Sequence, residues 1–490
     1  MKIADFKFFL LLDTMSESEI KEFRKLVSSV FFSGGRNYIQ ILNKLLKIRK
    51  KGLDKITPQI LYKKLYPGSR FSLQTLNNRF SELFKLGEEF MIQKTLRGNK
   101  PERDRLLLLA YHNDKSKKLF NNRLNSAKKS VDAMPESDTK YIHLSFLDRL
   151  DLSFSKDPVI SENTYRQYLE NSQNSAALLL KNLFDFGFEF LQQEQTNRSF
   201  EFNLVNEIIS RLEMDDVLLK KLYKSNSKIF KSVVLEYYLF NIFKNPDNEK
   251  NYYEARKLFE ELKPSMENNY VSETYKKMTN YCILRQNQGV KTFNSELFKL
   301  YNEILKQNIY LDHKNEFSQT TFRNYVLIGI ILGKTDWTEN FIKNHSGELP
   351  EEIRYAEISL SYSKLFFSRK NYERSLHYLS GLKNLNVIHY SDSAILKLCN
   401  YYETKKYEEA FFEMDKFRHY ISNHEEMPKI HREYALNFLK IYKLLIKMKT
   451  GVDKKDFFQV ESTMNKMKLI SRASWLSEKI KELKKNKTGS

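Results

Sequence analysis

The chain has 490 residues, enough for about three ordinary domains or one extended helical stack. Only 14 Gly and 9 Pro punctuate it, roughly half the usual share, and a sheet-rich fold needs turn residues every 8–12 positions or so; an all-α protein is the fold class that remains. Hydrophobic residues at 41% exclude global disorder, and the net charge of +21 is uneven: residues 1–130 hold 28 Lys and Arg against 12 Asp and Glu, a local +16.

Near the start, the apolar run at 8–12 is too short for a signal-peptide core and is bounded by Asp5 and Asp13. The longest later apolar run, 325–332, falls well below the roughly 20 residues that span a bilayer. Cys282 and Cys399 stand far apart, a usage that suits a reducing compartment. These features predict a cytoplasmic protein without membrane insertion.

Residues 1–130 read as a basic helical domain. Ser16-Glu17-Ser18-Glu19 is a capping box, and the helix it opens carries Ile20, Phe23, Leu26 and Val27 at helical spacing. Gly34-Gly35 breaks the chain; with no strand-loop-helix context around it, it is no phosphate cradle. A helix over 37–51 follows, then a short one over 57–65 opened by Thr57-Pro58 and ended by Tyr66-Pro67-Gly68. Ser72 caps a long helix over 72–91 with an apolar stripe of Leu73, Leu76, Phe80, Leu83 and Phe90. Residues 92–96 and 105–110 then have two readings. They extend a helical domain with a solvated basic face, or they form the two strands of a β-wing, which makes the order that of a winged helix-turn-helix. On the second reading Gln74, Asn77, Asn78 and Lys85 face nucleic acid, since amides pair with adenine and Lys reaches phosphate. Lys44, Lys47, Arg49, Lys50 and Lys51 add phosphate contacts.

Residues 131–317 form a middle region of helix after helix, with Ser161, Ser199 and Ser272 at N-cap positions. Residues 318–490 contain an internal period. Trp337, Tyr372 and Tyr407 are 35 residues apart; six positions before them stand Ile331, Phe366 and Tyr401, and three after them Asn340, Ser375 and Ala410. Over about 318–420 this pattern resembles the tetratricopeptide repeat, a helical hairpin with an aromatic at its turn and a small residue soon after, where helix B approaches helix A. Asn251-Tyr252-Tyr253-Glu254-Ala255 reads as an earlier, degenerate copy. The resemblance implies a helical-hairpin solenoid whose concave surface holds a partner, with Trp337, Tyr372, Ser375, Tyr407 and Ala410 as packing residues. Departures are the extra residue per repeat, Asn340 in the small position, and no proline near each repeat end. The early Glu19, Glu22 and Phe23, the stretch Tyr62 with Leu65-Tyr66-Pro67-Gly68, and Trp475-Leu476-Ser477-Glu478-Lys479-Ile480 resemble a family of long helical proteins from Bacteroidota-type bacteria. That likeness implies architecture and carries no activity.

No nucleotide-binding, metalloprotease or serine-hydrolase motif is present. His419, His424 and His431 are spaced by five and seven, whereas ligands on one helix face need three or four. Cys282 and Cys399 lack Cys or His neighbours and read as core residues; Glu351-Glu352 and Glu408-Glu409 read as acids at helix starts. The sequence therefore predicts a non-enzymatic protein without metal or cofactor, binding a protein or peptide on its repeats. The alternative is a nucleic-acid-binding regulator that uses the basic N-terminal domain. Attachment to anionic lipid through the same basic residues ranks third.

Overall fold

A computed structural model describes residues 3–53, 56–112, 116–154, 162–194, 202–212, 214–312, 314–383, 385–450, 457–467 and 469–488. The elements are helices, and among the described residues the only β pairing is a bridge between Leu311 and Phe317. No helix among them is long and apolar enough to cross a membrane. The chain forms two compact units, Met1–Asn182 with Asn226–Val233, and Leu183–Ser225 with Val234–Ser490.

The first unit contains α1 (Lys7–Asp13), α2 (Glu17–Ser28), α3 (Val30–Ser33), α4 (Tyr38–Lys50), α5 (Pro58–Leu65), α6 (Leu73–Gly98), α7 (Lys100–Ala110), α8 (Lys117–Asp132) and α9 (Asp138–Phe154). At the starts of α2, α5, α6 and α7 side chains satisfy free amides. Ser16 Oγ accepts from the Glu19 amide while the Glu19 carboxylate accepts from the Ser16 amide at 2.6 Å. Thr57 and Ser72 cap α5 and α6 in the same manner. Phe8, Phe9, Phe23, Leu42, Leu61, Leu76 and Leu83 form the core, while Leu73 lies exposed. A Cβ on Gly87 would stand 2.5 Å from Leu11 Cδ2, so the missing side chain lets α1 lie close against α6.

The β-wing does not form. Residues 92–96 continue α6, and 105–110 lie in α7. Lys94 and Arg97 on the extended α6 pair with Glu19 and Glu22 on α2. Asn99 Oδ1 then accepts from the Glu102 amide to cap α7, and Pro101 falls in the first turn, where no amide partner is needed. Leu108 is fully buried against α8 and α9. Apolar spacing at three and four residues prevails here over the alternation a strand requires.

Two helices contribute residues to both units, α10 (Glu162–Glu194) and α13 (Lys228–Lys244). The second unit adds α11 (Leu204–Arg211), α12 (Asp216–Lys224), α14 (Lys250–Leu262), α15 (Asn268–Asn287), α16 (Thr292–Lys306), α17 (Gln319–Ile331), α18 (Thr335–His345), α19 (Glu351–Ser368), α20 (Tyr372–Ser380), α21 (Val387–Glu403), α22 (Tyr407–Asn423), α23 (Lys429–Lys449), α24 (Phe457–Asn465) and α25 (Ala473–Thr488). Ser272 lies inside α15, whose N-cap is Glu267, because helical packing of Val271, Thr274 and Tyr275 carries the helix back past it. Ser161 and Ser199 lie outside the described residues.

Within this unit α17 pairs with α18, α19 with α20, and α21 with α22. One turn joins each pair. Gly333, Lys370 and Lys405 adopt left-handed backbone with φ of 66°, 58° and 60°, and the next amide reaches back to the carbonyl of Gly329, Phe366 or Tyr401 at 2.8–2.9 Å. These turn residues are 37 and 35 apart, so the equal 35-residue spacing of the aromatics does not follow the spacing of the turns. Thr338, five residues after Gly333, is fully buried, as are Ser375 and Ala410 five residues after Lys370 and Lys405. Asn340 and Ile331 are exposed instead.

Trp337 therefore does not match Tyr372 and Tyr407. Its indole stacks on Phe341, meets the Phe298 ring 4.7 Å away, and donates to Asn302 Oδ1 at 3.0 Å. Gly329 stands where Phe366 and Tyr401 stand in the other pairs, and the indole fills the space a ring would occupy; a Cβ there would lie 2.2 Å from Thr338 Oγ1. Tyr372 and Tyr407 pack edge-on against Phe367 and Tyr402, five residues earlier in each case. In α14, Tyr252 and Ala255 are both fully buried.

Overpacking of these contacts is measurable. Ala410→Leu is expected to destabilise the second unit by about 1–3 kcal/mol, and Gly329→Ala by a similar amount, in urea melts followed by circular dichroism. Wild-type midpoints for both variants would show that the paired helices do not meet at these residues.

Candidate functional site

The first helices of successive pairs also pack on one another, α17 on α19, α19 on α21 and α21 on α23. Along them runs a groove of about 640 Å³ lined by Thr320, Arg323, Asn324 and Leu327 of α17, Lys364 of α19, Ile388, Ser391, Asp392 and Ile395 of α21, and His431 and Tyr434 of α23. Ser471 and Arg472, just before α25, close its end.

The groove is built on a buried ionic network. Glu357, with 0% exposure, accepts from Arg323 Nε at 2.7 and 2.9 Å and from Gln319 Nε2 at 3.0 Å. The buried His389 places Nε2 3.1 Å from the same carboxylate. One side chain thus joins α17, α19 and α21. Burial alone would raise the Glu357 carboxyl, but the His389 hydrogen bond and the charges of Arg323 and Lys364 outweigh it and hold the group below its ordinary 4.5.

Above this floor, Asp392 lies 3.4 Å from both Arg323 Nη1 and Lys364 Nζ. Burial raises this carboxyl too, and the charges of Lys364, Arg323 and Arg472 more than reverse the effect. Three cations therefore surround one surface carboxylate, which remains about one-third exposed. Arg323 Nη2 is buried and has no hydrogen-bond partner among the described residues, leaving a donor directed into a low-dielectric site. Arg472 lies over the Phe367 ring and is held at a φ of 54°, a left-handed backbone conformation costly for a residue that carries a Cβ.

The site residues read from the sequence fall elsewhere. Lys44, Lys47, Arg49, Lys50 and Lys51 lie on or just after α4, and Gln74, Asn77, Asn78 and Lys85 on the exposed side of α6. Lys47, Arg49 and Lys50 share a cleft with α2, whose lining includes neither the two asparagines nor Gln74 nor Lys85. Trp337, Tyr372, Ser375, Tyr407 and Ala410 pack within the helical pairs and do not line the groove. His431, passed over in the sequence, is a groove residue, while His424 stacks on Tyr420 and His419 is exposed beside Asp415.

The groove residues gave one sequence signal. Glu357 and Asp392 are 35 apart, each 13 positions before a left-handed turn lysine, so an acid recurs at the same distance before two turns. Cys282 and Cys399 are fully buried, and burial pushes both thiols up to about 12, which removes them as nucleophiles at neutral pH. No group of three or more His, Cys, Asp or Glu among the described residues is placed to hold a metal ion. In comparison with known proteins, no family model, no curated protein and no solved structure matches the chain.

The lowered Glu357 carboxyl has a pH consequence. Its contribution is fully present above the ordinary carboxylate value of 4.5 and is lost as pH falls through the lower folded-state value. Glu357→Gln is expected to lose about 3–5 kcal/mol at pH 7 by leaving Arg323 without its buried partner. The gap from wild type should narrow in thermal melts as pH falls below 4.5 and through the lower folded-state value. An equal gap at both ends would show that Glu357 is not ionised in the folded chain.

Proposed function

We propose that the chain is a non-catalytic interaction protein that holds an acidic segment of a partner protein in the groove across α17, α19, α21 and α23. One observation carries this reading: Arg323, Lys364 and Arg472 converge on a single surface carboxylate, so an incoming carboxylate finds cations already desolvated and held in place. Arg323 Nη1 and Lys364 Nζ stand 3.4 Å from Asp392, close enough to be shared with a second carboxylate. Leu327, Ile388, Ile395 and Tyr434 supply apolar wall between the charges for the partner's intervening side chains.

The helical pairs support a divergent tetratricopeptide-like stack. The recurring left-handed turn, the buried Thr338, Ser375 and Ala410, and the packing of first helices on first helices are what such a stack requires. In that arrangement the first helices line the concave side, where an extended or helical partner segment lies. Backbone strain at Arg472 fits a ligand-facing residue, since strained conformations concentrate at binding sites.

A fluorescent peptide alternating Glu with Leu is expected to bind the full chain at low salt, and a Lys-Leu counterpart to bind far more weakly. Replacing Lys364 and Arg472 together by Ala should weaken the acidic peptide about tenfold, or ~1.4 kcal/mol. Fluorescence anisotropy reads both outcomes. An acidic peptide that fails to bind, or binds the double variant as well as wild type, would remove the groove as the site.

A further inference from the structure

The first unit has a charged surface of its own that the groove does not use. α2 packs beside α4, and between them opens a cleft of about 360 Å³ lined by Lys21 and Arg24 from α2 and by Lys47, Arg49 and Lys50 from α4. One carboxylate, Glu17, faces these five cations. Arg49 is committed to Asp13 at 2.6 Å, and Lys50 stands only 3.9 Å from Glu17, with both of that pair more than two-thirds exposed. Lys21, Arg24 and Lys47 are exposed and have no ion-pair partner among the described residues.

The opposite flank of α2 makes the contrast. There a second cleft is lined by Lys25, Lys94 and Arg97 with Glu22, but Lys94 pairs with Glu19 and Arg97 with Glu22. Arg36 and Arg79 share Glu82, Arg105 pairs with Glu102, and Arg123 with the buried Asp104. The cleft between α2 and α4 thus gathers three cations without an ion pair, Lys21, Arg24 and Lys47, beside two that are paired, whereas the cleft on the other flank holds only Lys25 unpaired. Like charges held together repel, so this cleft is an electrostatic cost to the free protein that a bound anion removes.

We propose that the α2–α4 cleft binds the phosphate backbone of nucleic acid. A cleft admits a projecting strand, whereas the flat plane of bilayer headgroups cannot follow its floor. The lining has no aromatic ring for bases to stack on and only Asn43 as an amide, so the contacts position a backbone and do not read sequence. Lys51, also exposed, extends the cationic surface past the end of α4. Since Gln74, Asn77 and Asn78 lie outside the cleft, base reading by α6 is not part of this mode.

The test uses the full-length chain with a labelled 20-base-pair duplex and the matching single strand. About four phosphate contacts predict a log–log salt slope of roughly −3 to −4 on duplex, so affinity should fall about 100-fold between 50 and 200 mM salt, whatever the sequence. Lys21→Glu, Arg24→Glu and Lys47→Glu combined should lower affinity at least tenfold, and the corresponding Gln triple should lower it to a smaller degree. Lys117→Glu, Lys118→Glu and Lys129→Glu on α8 make the same change in net charge and should leave binding near the wild-type value. Equal loss in both Glu triples would overturn the cleft in favour of diffuse attraction. The proposal also falls if wild type binds neither nucleic acid at 50 mM salt, or binds only phosphatidylserine vesicles. The cleft variants should leave acidic-peptide binding in the groove unchanged, which separates failure of this site from failure of that one.

Discussion

Glu357 is a carboxylate with no exposed surface, and the relation among three helices passes through it. Arg323, Gln319 and His389 reach it from the two neighbouring helices, and Lys364 adds its charge from the next turn but one of its own. Removing an ion from water costs several kcal/mol, so such a group persists only where partners meet it in fixed geometry. That demand sets the spacing of α17, α19 and α21 and fixes the groove above them. Replacing the network with leucines would free the helices to slide. The ionic floor thus trades stability for a defined orientation of Arg323, whose Nη1 stands 3.4 Å from Asp392.

The same unit treats its other polar interior groups with similar strictness. Ser363 and Ser375 bridge α19 and α20 through a 2.8 Å hydroxyl contact, each hydroxyl also reaching the other residue's carbonyl, and Asn400 of α21 donates to Ser375 Oγ at 2.9 Å. Serine at this position keeps the close approach that alanine gives at 410 and adds a directional tie to the next pair. Lys277, almost fully buried, is held between Glu236 at 2.8 Å and Asp185 at 2.5 Å. Each buried charge or hydroxyl restricts which neighbours a helix accepts.

Helices were legible where local chemistry decides them. The capping residues Ser16, Thr57 and Ser72 and the breaks at Gly34 and Gly68 lie where the sequence places them, because caps and turns act over three or four residues. One open alternative and one error share a cause. The stretch around Gly98 keeps a strand alternative beside the helical reading until the pairing of Lys94 and Arg97 with α2 is known, and that contact spans about 75 residues. The 35-residue spacing of Trp337 was a coincidence of aromatics, since the turn glycine places Thr338 and not Asn340 in the close-packed position. The groove was hardly legible at all. Arg323, Lys364, Asp392 and Arg472 are separated by up to about 150 positions, and no spacing rule brings together residues whose only relation is the stacking of helices.

The last helix has a role beyond filling space. Trp475 of α25 packs on Tyr402 and Tyr442 and donates to Glu403 at 2.8 Å, while Lys479 bonds the same carboxylate at 3.0 Å. Beneath it lie Leu445, Ile446 and Met448 of α23, buried in a cluster completed by Leu476, Ile480 and Leu483. A chain shortened before Ala473 would uncover this aromatic and aliphatic face while every earlier pair stayed intact. α25 therefore keeps from water an apolar face that α23 would otherwise present to it.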